Sequence, residues 1–294
     1  MDVQSHRSKA VIFILSVLLG FFGIIMPVYA GLDRASEAGL TPHKALYDIR
    51  LSSKKSGANV SDINGTMFYE WRPSCDAWVT THRFDMTYDY LEVPSVRVTS
   101  DFSTYESFDG NSFNFSLQRK RGGLVFEEIR GSANLEGTDN AREAVYTVPQ
   151  DLVFDLPDGT LFPMAHTLAV LEKVKSGNTF YNATIFDGSD AEGPVDINSF
   201  VAKEASYTPP EEYADNIDSG LVQSKGWKLR LAFFPLNSFE ETADYEMSLI
   251  FHENGVISDM EVDYGDFSVT QKLRAIEVVE GSCSVENEKG VKEN

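Results

Sequence analysis

Two cysteines, Cys75 and Cys283, are the first candidates for chemistry in this chain of 294 residues, and they lie 208 positions apart. A pair of cysteines can form a disulfide, act as reactive thiols or bind a metal. Two thiols alone make a poor metal site, and no histidine stands at ligand spacing from either one. The spacing therefore favours a disulfide that closes most of the domain over the reactive-thiol and metal-ligand alternatives.

The four histidines that follow residue 30 are the candidates for acid–base chemistry, namely His43, His82, His166 and His252. Hydrolysis needs a nucleophile or activated water, a base held by a partner, and stabilisation of charge. The sequence has no G-x-S-x-G, H-E-x-x-H, Walker or C-x-x-C motif that would assemble two of these parts. We therefore predict a non-enzymatic protein with no catalytic, cofactor-binding or metal-binding residues. The alternative is an exported hydrolase that uses His82 or His166 with a carboxylate.

An acidic segment at residues 187–196, with the sequence DGSDAEGPVD, invites a comparison with calcium-binding loops. An EF-hand loop has Asp or Asn at its third and fifth positions, where this segment has Ser189 and Ala191. We predict a turn that follows a strand and no calcium site.

Apolar and polar residues alternate with a period of two along most of the chain, which is typical of strands with one buried face. The alternation predicts strands at residues 44–51, 66–71, 78–84, 96–102, 113–117, 229–233, 245–251, 256–262 and 267–279. Asn254-Gly255 predicts a two-residue hairpin turn, and Asn64-Gly65, Asp109-Gly110 and Gly122-Gly123 predict further turns. About a dozen strands indicate an antiparallel barrel, a sandwich or a spiral sheet. An outer-membrane barrel is disfavoured because acidic loops flank the strands on both sides.

One main helix is predicted at residues 161–177, where Pro163 suits the first turn, Met164 and Leu171 share an apolar stripe, and Gly177 suits the C-terminal cap. Residues 206–225 are polar and contain two consecutive prolines. We predict that they form a surface loop within one domain.

Residues 1–30 have the features of a signal peptide: Arg7 and Lys9, then an almost wholly apolar run, then Val28-Tyr29-Ala30 before the predicted cut. The alternative is an uncleaved membrane anchor, because the apolar run approaches the length of a spanning helix. We predict cleavage before Gly31, a single domain at residues 31–283 and a charged, flexible tail at residues 284–294.

The chain is strongly acidic, with 25 basic and 45 acidic residues and a net charge of −20. Proteins that bind nucleic acid or anionic lipid headgroups need patches of lysine and arginine. The composition therefore excludes nucleic acid as a partner. An aromatic content of 12% indicates a packed core rich in strands.

Seven segments, taken in order, resemble the EipB-like cell-envelope integrity family, a former domain of unknown function. They are TPHKALYDIRL (41–51), GTMFYEW (65–71), SCDAW (74–78), LPDGTLFPMAH (156–166), FDGS (186–189), GVI (255–257) and DYGDF (263–267). The resemblance extends over nearly all of residues 38–283. Ala77 departs from the small glycine that the family has before Trp78.

The resemblance implies a mainly β fold, namely a long antiparallel β-spiral or open barrel-like sheet with one main helix, stapled by a Cys75–Cys283 disulfide. It also implies a periplasmic location, a role in envelope integrity and no established catalytic activity. The fold is similar to lipoprotein carriers that have a concave apolar face. We therefore expect a periplasmic protein that binds a protein partner, a peptide or a lipid on a concave sheet face and is not an integral membrane protein after signal cleavage.

Overall fold

The computed structural model describes residue 35 and residues 39–136, 142–236 and 242–281, and these residues form one antiparallel sheet of 14 strands. The strands are β1 (His43–Lys54), β2 (Val60–Pro73), β3 (Ala77–Tyr90), β4 (Val96–Ser107), β5 (Ser112–Arg121), β6 (Leu124–Asn134), β7 (Glu143–Val148), β8 (Val153–Asp155), β9 (Phe180–Ile185), β10 (Val195–Ala205), β11 (Gly226–Pro235), β12 (Tyr245–His252), β13 (Ile257–Asp263) and β14 (Phe267–Val278). The predicted signal peptide, Cys283 and the predicted tail lie outside the described residues.

The main helix, α1 (Pro163–Lys175), confirms the predicted helix, and Gly177 follows it with a φ of 78°. A 3-10 helix (Glu211–Asn216) and the short α2 (Ser219–Val222) lie between β10 and β11. Within the described residues, no helix is long and apolar enough to cross a membrane.

Residues 206–225 lie mostly on the surface of the one sheet, as predicted, but they are not a plain loop. This segment contains both short helices, and Ile217 pairs with Ile276 of β14 through an isolated bridge. Leu221 and Val222 are buried in the main core. Three apolar residues among many polar ones are enough to hold the segment against the sheet.

The predicted turn at Asn64-Gly65 was wrong, because both residues lie inside β2 and pair with Thr87 and Met86 of β3. A Cβ added to Gly65 would lie 2.3 Å from the carbonyl oxygen of Asp85. The glycine therefore allows a close approach of β3, which is a common reason for glycine inside a strand.

Strands that are consecutive in sequence lie side by side in the sheet, except that β8 and β9 do not pair. Strands β1 and β14 pair in the middle of the sheet, and β8 and β9 are its two edges. Residues 186–194, which we name the overlap segment, follow edge strand β9. The carbonyl of Ser189 accepts a hydrogen bond from Arg119 of β5, and that of Asp190 accepts one from Tyr146 of β7. Leu161, which follows β8, bridges to Ile185 of β9. The sheet therefore coils until its two edges overlap, which confirms an open, barrel-like antiparallel sheet.

The coiled sheet has an inner face and two distinct ends. At one end, the helix end, α1 begins beside β4 and β5, where Phe162 stacks on Phe113 at 4.9 Å between ring centroids. It finishes beside β9, where Lys173 lies 5.9 Å from the ring of Tyr181. The main core, which includes Trp71 and Trp78, packs against the apolar side of α1. The opposite end carries the β3–β4 and β5–β6 turns, and we name it the tip end.

Candidate functional site

The candidate site is the space enclosed by the inner face, which we name the lumen. Inward-facing side chains near the helix end are buried, whereas most of those nearer the tip end are only partly buried. The partly buried wall includes the apolar and aromatic residues Tyr69, Phe84, Tyr88, Phe102, Leu231, Tyr245, Met247 and Phe267. The inner face is therefore covered by α1 at the helix end and more accessible to solvent toward the tip end, and we call these the closed and the open end of the lumen.

Strand register brings these wall residues together from distant parts of the chain. Met67 pairs with Phe84 across β2 and β3, and Leu231 pairs with Met247 across β11 and β12. Because side chains alternate between the two faces of a strand, each pair puts both residues on the same face. The wall is thus a property of the pairing and not of one continuous motif.

Neutral phenols accompany the apolar side chains in the open half of the lumen. Burial raises the pKa of the Tyr88 and Tyr264 phenols, and burial is also the main reason that the pKa of Tyr245 is raised. These phenols therefore stay neutral at physiological pH. Such a surface can take up apolar groups through the hydrophobic effect and can offer neutral hydroxyls to polar ones.

Positive charge reaches the inner face on β5, near the tip end. Arg119 forms an ion pair with Glu127 at 2.5 Å, and the guanidinium of Arg121 lies 4.9 Å from the ring centroid of Phe126. Arg121 lines a cavity of about 350 Å³ at the mouth of the lumen, which we name the rim pocket. Its lining is formed by Tyr88, Tyr90, Val96, Val98, Arg121 and Phe126.

The structure places three of the four histidines on or beside the inner face, where burial lowers the pKa of His43, His82 and His166 to about 4. The ring of His82 lies between those of Tyr69 and Phe102, at 4.8 and 6.0 Å. The ring of His166 stacks on Tyr181. Among the described residues, neither His82 nor His166 forms an ion pair with a carboxylate, so the pairing required by the hydrolase alternative is not found there.

The fourth histidine forms a contact that sequence reasoning missed. His252 Nε2 lies 2.7 Å from the hydroxyl of Ser258, and its Nδ1 lies 3.0 Å from the carbonyl of Ser224. Both His252 and Ser258 are fully buried. The group that orients the His252 ring is a backbone carbonyl and not the carboxylate of a catalytic triad. The contact with Ser224 links the β12–β13 hairpin to the residues before β11. The sequence contained one signal for this contact: His252 and Ser258 stand on either side of Asn254-Gly255, and a hairpin at that turn brings the two residues together.

Glu106 of β4 is a second residue that sequence reasoning missed. Its two carboxylate oxygens each accept a hydrogen bond of 2.7 Å, from the amides of Met164 and Ala165 in the first turn of α1. The side chain is buried, and burial raises its pKa to about 7 although the two amides act in the opposite direction. Glu106 therefore attaches the helix that closes the lumen to the sheet.

The acidic segment that invited a calcium interpretation uses its carboxylates in local turns. Asp187 Oδ1 accepts a hydrogen bond from the amide of Ser189, and Asp190 Oδ1 accepts one from the amide of Glu192. Across the described ranges, no group of three or more histidine, cysteine, aspartate or glutamate side chains is arranged to hold a metal ion. Cys75 lies in the turn between β2 and β3, and its predicted partner is outside the described residues.

Three comparisons place this architecture among known proteins. A family model described as EipB-like matches residues 34–280 of the chain. The chain is 28% identical over 246 residues to the cell envelope integrity protein EipB of Brucella abortus (strain 2308), a match that covers 83% of this chain and 86% of that protein. It is also similar to the crystal structure of a beta-barrel-like protein of domain of unknown function DUF1849 from Brucella abortus. That match has a TM-score of 0.75 and 28% identity, and it covers 82% of this chain and 99% of the other. The resemblance found in the sequence is confirmed.

Proposed function

The chain belongs to the EipB-like family, and we propose that it is a non-enzymatic periplasmic protein that supports cell-envelope integrity by holding an apolar ligand in the lumen. The envelope role rests on the similarity to the cell envelope integrity protein EipB of Brucella abortus. The ligand is a lipid chain or an apolar peptide segment from a partner. The observation that carries the proposal is the lumen itself, open at the tip end and walled by neutral, partly exposed aromatic and aliphatic side chains.

The wall supports an apolar ligand for a physical reason. Burial of apolar surface contributes about 25 cal/mol per Å², so a long acyl chain can bind without a catalytic or charged anchor. The part-exposed wall residues leave that surface available from one direction only. The apolar character of the wall residues named above also disfavours a small polar substrate, which would lose its hydration without gaining partners.

The test is a titration of the exported protein with a dansyl-labelled fatty acid, followed by fluorescence. Phe84→Asp puts a charge on the lumen wall and should weaken binding by about tenfold or more. Phe68→Asp is the matched control, because Phe68 lies on the adjacent strand with its side chain on the outer face. Binding that is equal in the two variants would contradict the lumen proposal.

A hydrolase is the competing function, and the His252–Ser258 contact is the observation that favours it. An active serine nucleophile would react with a fluorophosphonate probe. We expect no labelling, because both residues are fully buried. Labelling that disappears in Ser258→Ala would replace the non-enzymatic proposal.

The disulfide and the export signal belong to the same proposal. His43 of β1 pairs with Trp71 of β2 on one side and with Val278 of β14 on the other. Cys75 follows Trp71 by four positions, and Cys283 follows Val278 by five. Strands β2 and β14 therefore end at the helix end on either side of β1, and their backbones lie about 10 Å apart. A short further approach of the two segments would bring the cysteines to bonding distance. Export directed by residues 1–30 would place them in an oxidising compartment, where disulfides form.

A further inference from the structure

Two neighbouring hairpins project from the tip end with exposed apolar side chains. A hydrogen bond of 2.9 Å from the amide of Gly122 to the carbonyl of Arg97 holds the β5–β6 turn beside the start of β4, directly after the β3–β4 turn. We name their exposed apolar residues the tip patch, which consists of Leu91, Val93, Leu124, Val125 and Phe126. Leu124 is 78% exposed and Phe126 is 49% exposed. Hairpin turns normally carry polar residues, so large apolar side chains at two adjacent tips need an explanation.

Positive charge accompanies the tip patch in a chain that is otherwise acidic. Arg119, Lys120 and Arg121 immediately precede Gly122-Gly123 and the apolar residues of β6. Within the described part of the chain, neither Lys120 nor Arg121 lies within ion-pair distance of a carboxylate. The overall charge of −20 predicts repulsion from anionic lipid, yet the tips present cations beside apolar groups. Lys120 and Arg121 therefore bring positive charge to the β5–β6 side of the tip patch, whereas Glu92 stands between Leu91 and Val93 on its β3–β4 side.

We propose that the tip patch docks on an anionic bilayer surface, with its apolar side chains at the boundary between headgroups and acyl chains. Lys120 and Arg121 lie beside the patch, where they meet the phosphates. Tyr88 and Tyr90 line the rim pocket directly behind it, and tyrosine is suited to this interface because its ring is apolar and its hydroxyl is polar. The mouth of the lumen then faces the bilayer.

A lipid surface fits the shape of the patch better than a protein partner does. A stable protein interface buries about 800 Å² on each side with close complementarity. The tip patch consists instead of side chains on two separate projecting turns, around which mobile lipids can rearrange. The proposal does not depend on what the lumen binds.

The experiment is co-sedimentation of the exported protein with vesicles. Vesicles of phosphatidylglycerol and phosphatidylethanolamine should bind the protein, those of phosphatidylcholine should bind it more weakly, and added salt should reduce the difference. Phe126→Glu should lower binding about tenfold. Phe200→Glu is the matched control, since Phe200 is 46% exposed on the outer face of β10, and it should leave binding unchanged.

A charge variant tests the second half of the proposal. Lys120→Gln with Arg121→Gln should reduce binding to the anionic vesicles and make it less sensitive to salt, while binding to phosphatidylcholine stays the same. No binding to anionic vesicles, or equal losses in Phe126→Glu and Phe200→Glu, would overturn the proposal. Self-association that Phe126→Glu abolishes, without vesicle binding, would overturn it too and assign the patch to a second copy of the chain. Loss of vesicle binding with intact fatty-acid binding would leave the lumen proposal standing.

Discussion

Gly188 in the overlap segment is a position where one methyl group should strain the coiled sheet in two ways. Its φ of 64° lies in the left-handed region, which costs about 1–2 kcal/mol for a residue with a Cβ. An added Cβ would also lie 2.4 Å from Cγ of Phe115. The Phe115 ring is surrounded by Tyr146 and Phe186, with centroids 5.0 and 5.5 Å away, so it has little room to move. Overpacking of this kind typically costs about 1–3 kcal/mol.

We therefore expect Gly188→Ala to lower the free energy of unfolding by about 2–5 kcal/mol, from the sum of these two costs. Gly159→Ala is the matched control, because Gly159 has a φ of 81° and nothing within 4 Å of an added Cβ. It should lose only the backbone cost of about 1–2 kcal/mol. Urea unfolding followed by tryptophan fluorescence gives both values, and unchanged slopes would show that the same structure unfolds in each variant.

A double-mutant cycle with Phe115→Ala tests the steric part directly. In that background the cost of Gly188→Ala should fall toward the cost of Gly159→Ala, because the clashing ring atoms are gone. Equal costs for the two glycine variants in the native background would refute the packing argument. An undiminished cost of Gly188→Ala in the Phe115→Ala background would refute it as well.

Two further predictions concern pH and the cysteines. Acidification from about pH 6.5 to 4 should destabilise the protein. His43 and His166 have a pKa of about 4 when folded and 6.5 when unfolded. In that window the unfolded chain therefore binds more protons than the folded protein, and stability falls as the pH falls. Glu106 opposes this trend between about pH 4.5 and 7, because its pKa is raised to about 7 in the folded protein. The Glu106→Gln variant should therefore lose more stability on acidification than the native protein, as measured by the midpoints of urea unfolding. Non-reducing peptide mapping should show Cys75 linked to Cys283. The Cys75→Ser variant should lower the free energy of unfolding by up to about 5 kcal/mol, which is the chain-entropy value for so long a loop. Two free thiols in fresh protein would contradict the disulfide.

The strands that the sequence predicts share one property, a regular alternation between a buried and a solvent-facing side. β1 shows it clearly, since His43, Ala45, Tyr47 and Ile49 are buried and the residues between them are less so. β6 escaped prediction because it begins with Leu124, Val125 and Phe126, three consecutive apolar residues that are all exposed. Such a run has no alternation between a buried and an exposed side, so a period of two does not describe it.

The two Asn-Gly pairs show why local chemistry alone does not place a turn. Asn254-Gly255 forms the hairpin between β12 and β13, with Gly255 at a φ of 86°. Asn64-Gly65 has the same residues and stays inside β2, because the close approach of β3 needs a residue without a Cβ. The difference comes from a neighbouring strand more than 20 positions away.

The lumen was predictable only as a concave apolar face, and only through the family resemblance. Its boundaries depend on contacts between distant segments, such as Glu106 with the start of α1 and Ser189 with Arg119. Neither contact has a sequence signature, since a buried glutamate and a loop carbonyl look ordinary out of context. The closed end, the open end and the patch beside the open end therefore emerge from the three-dimensional arrangement.

The overlap of the two sheet edges closes the coil without a hydrogen-bond ladder along a whole strand. A sheet that closes through a full ladder of hydrogen bonds can change its circumference only in discrete steps of strand number and stagger. Here the two edges meet through an isolated bridge between Leu161, which follows β8, and Ile185 of β9, and through aromatic side chains of the overlap segment, among them Phe186 against Phe115. At this bridge the amides of Leu161 and Phe186 donate hydrogen bonds to the carbonyls of Thr184 and Leu161. The circumference of the coiled sheet is therefore set by a short seam of hydrogen bonds and packed rings, and not by a ladder along a whole strand.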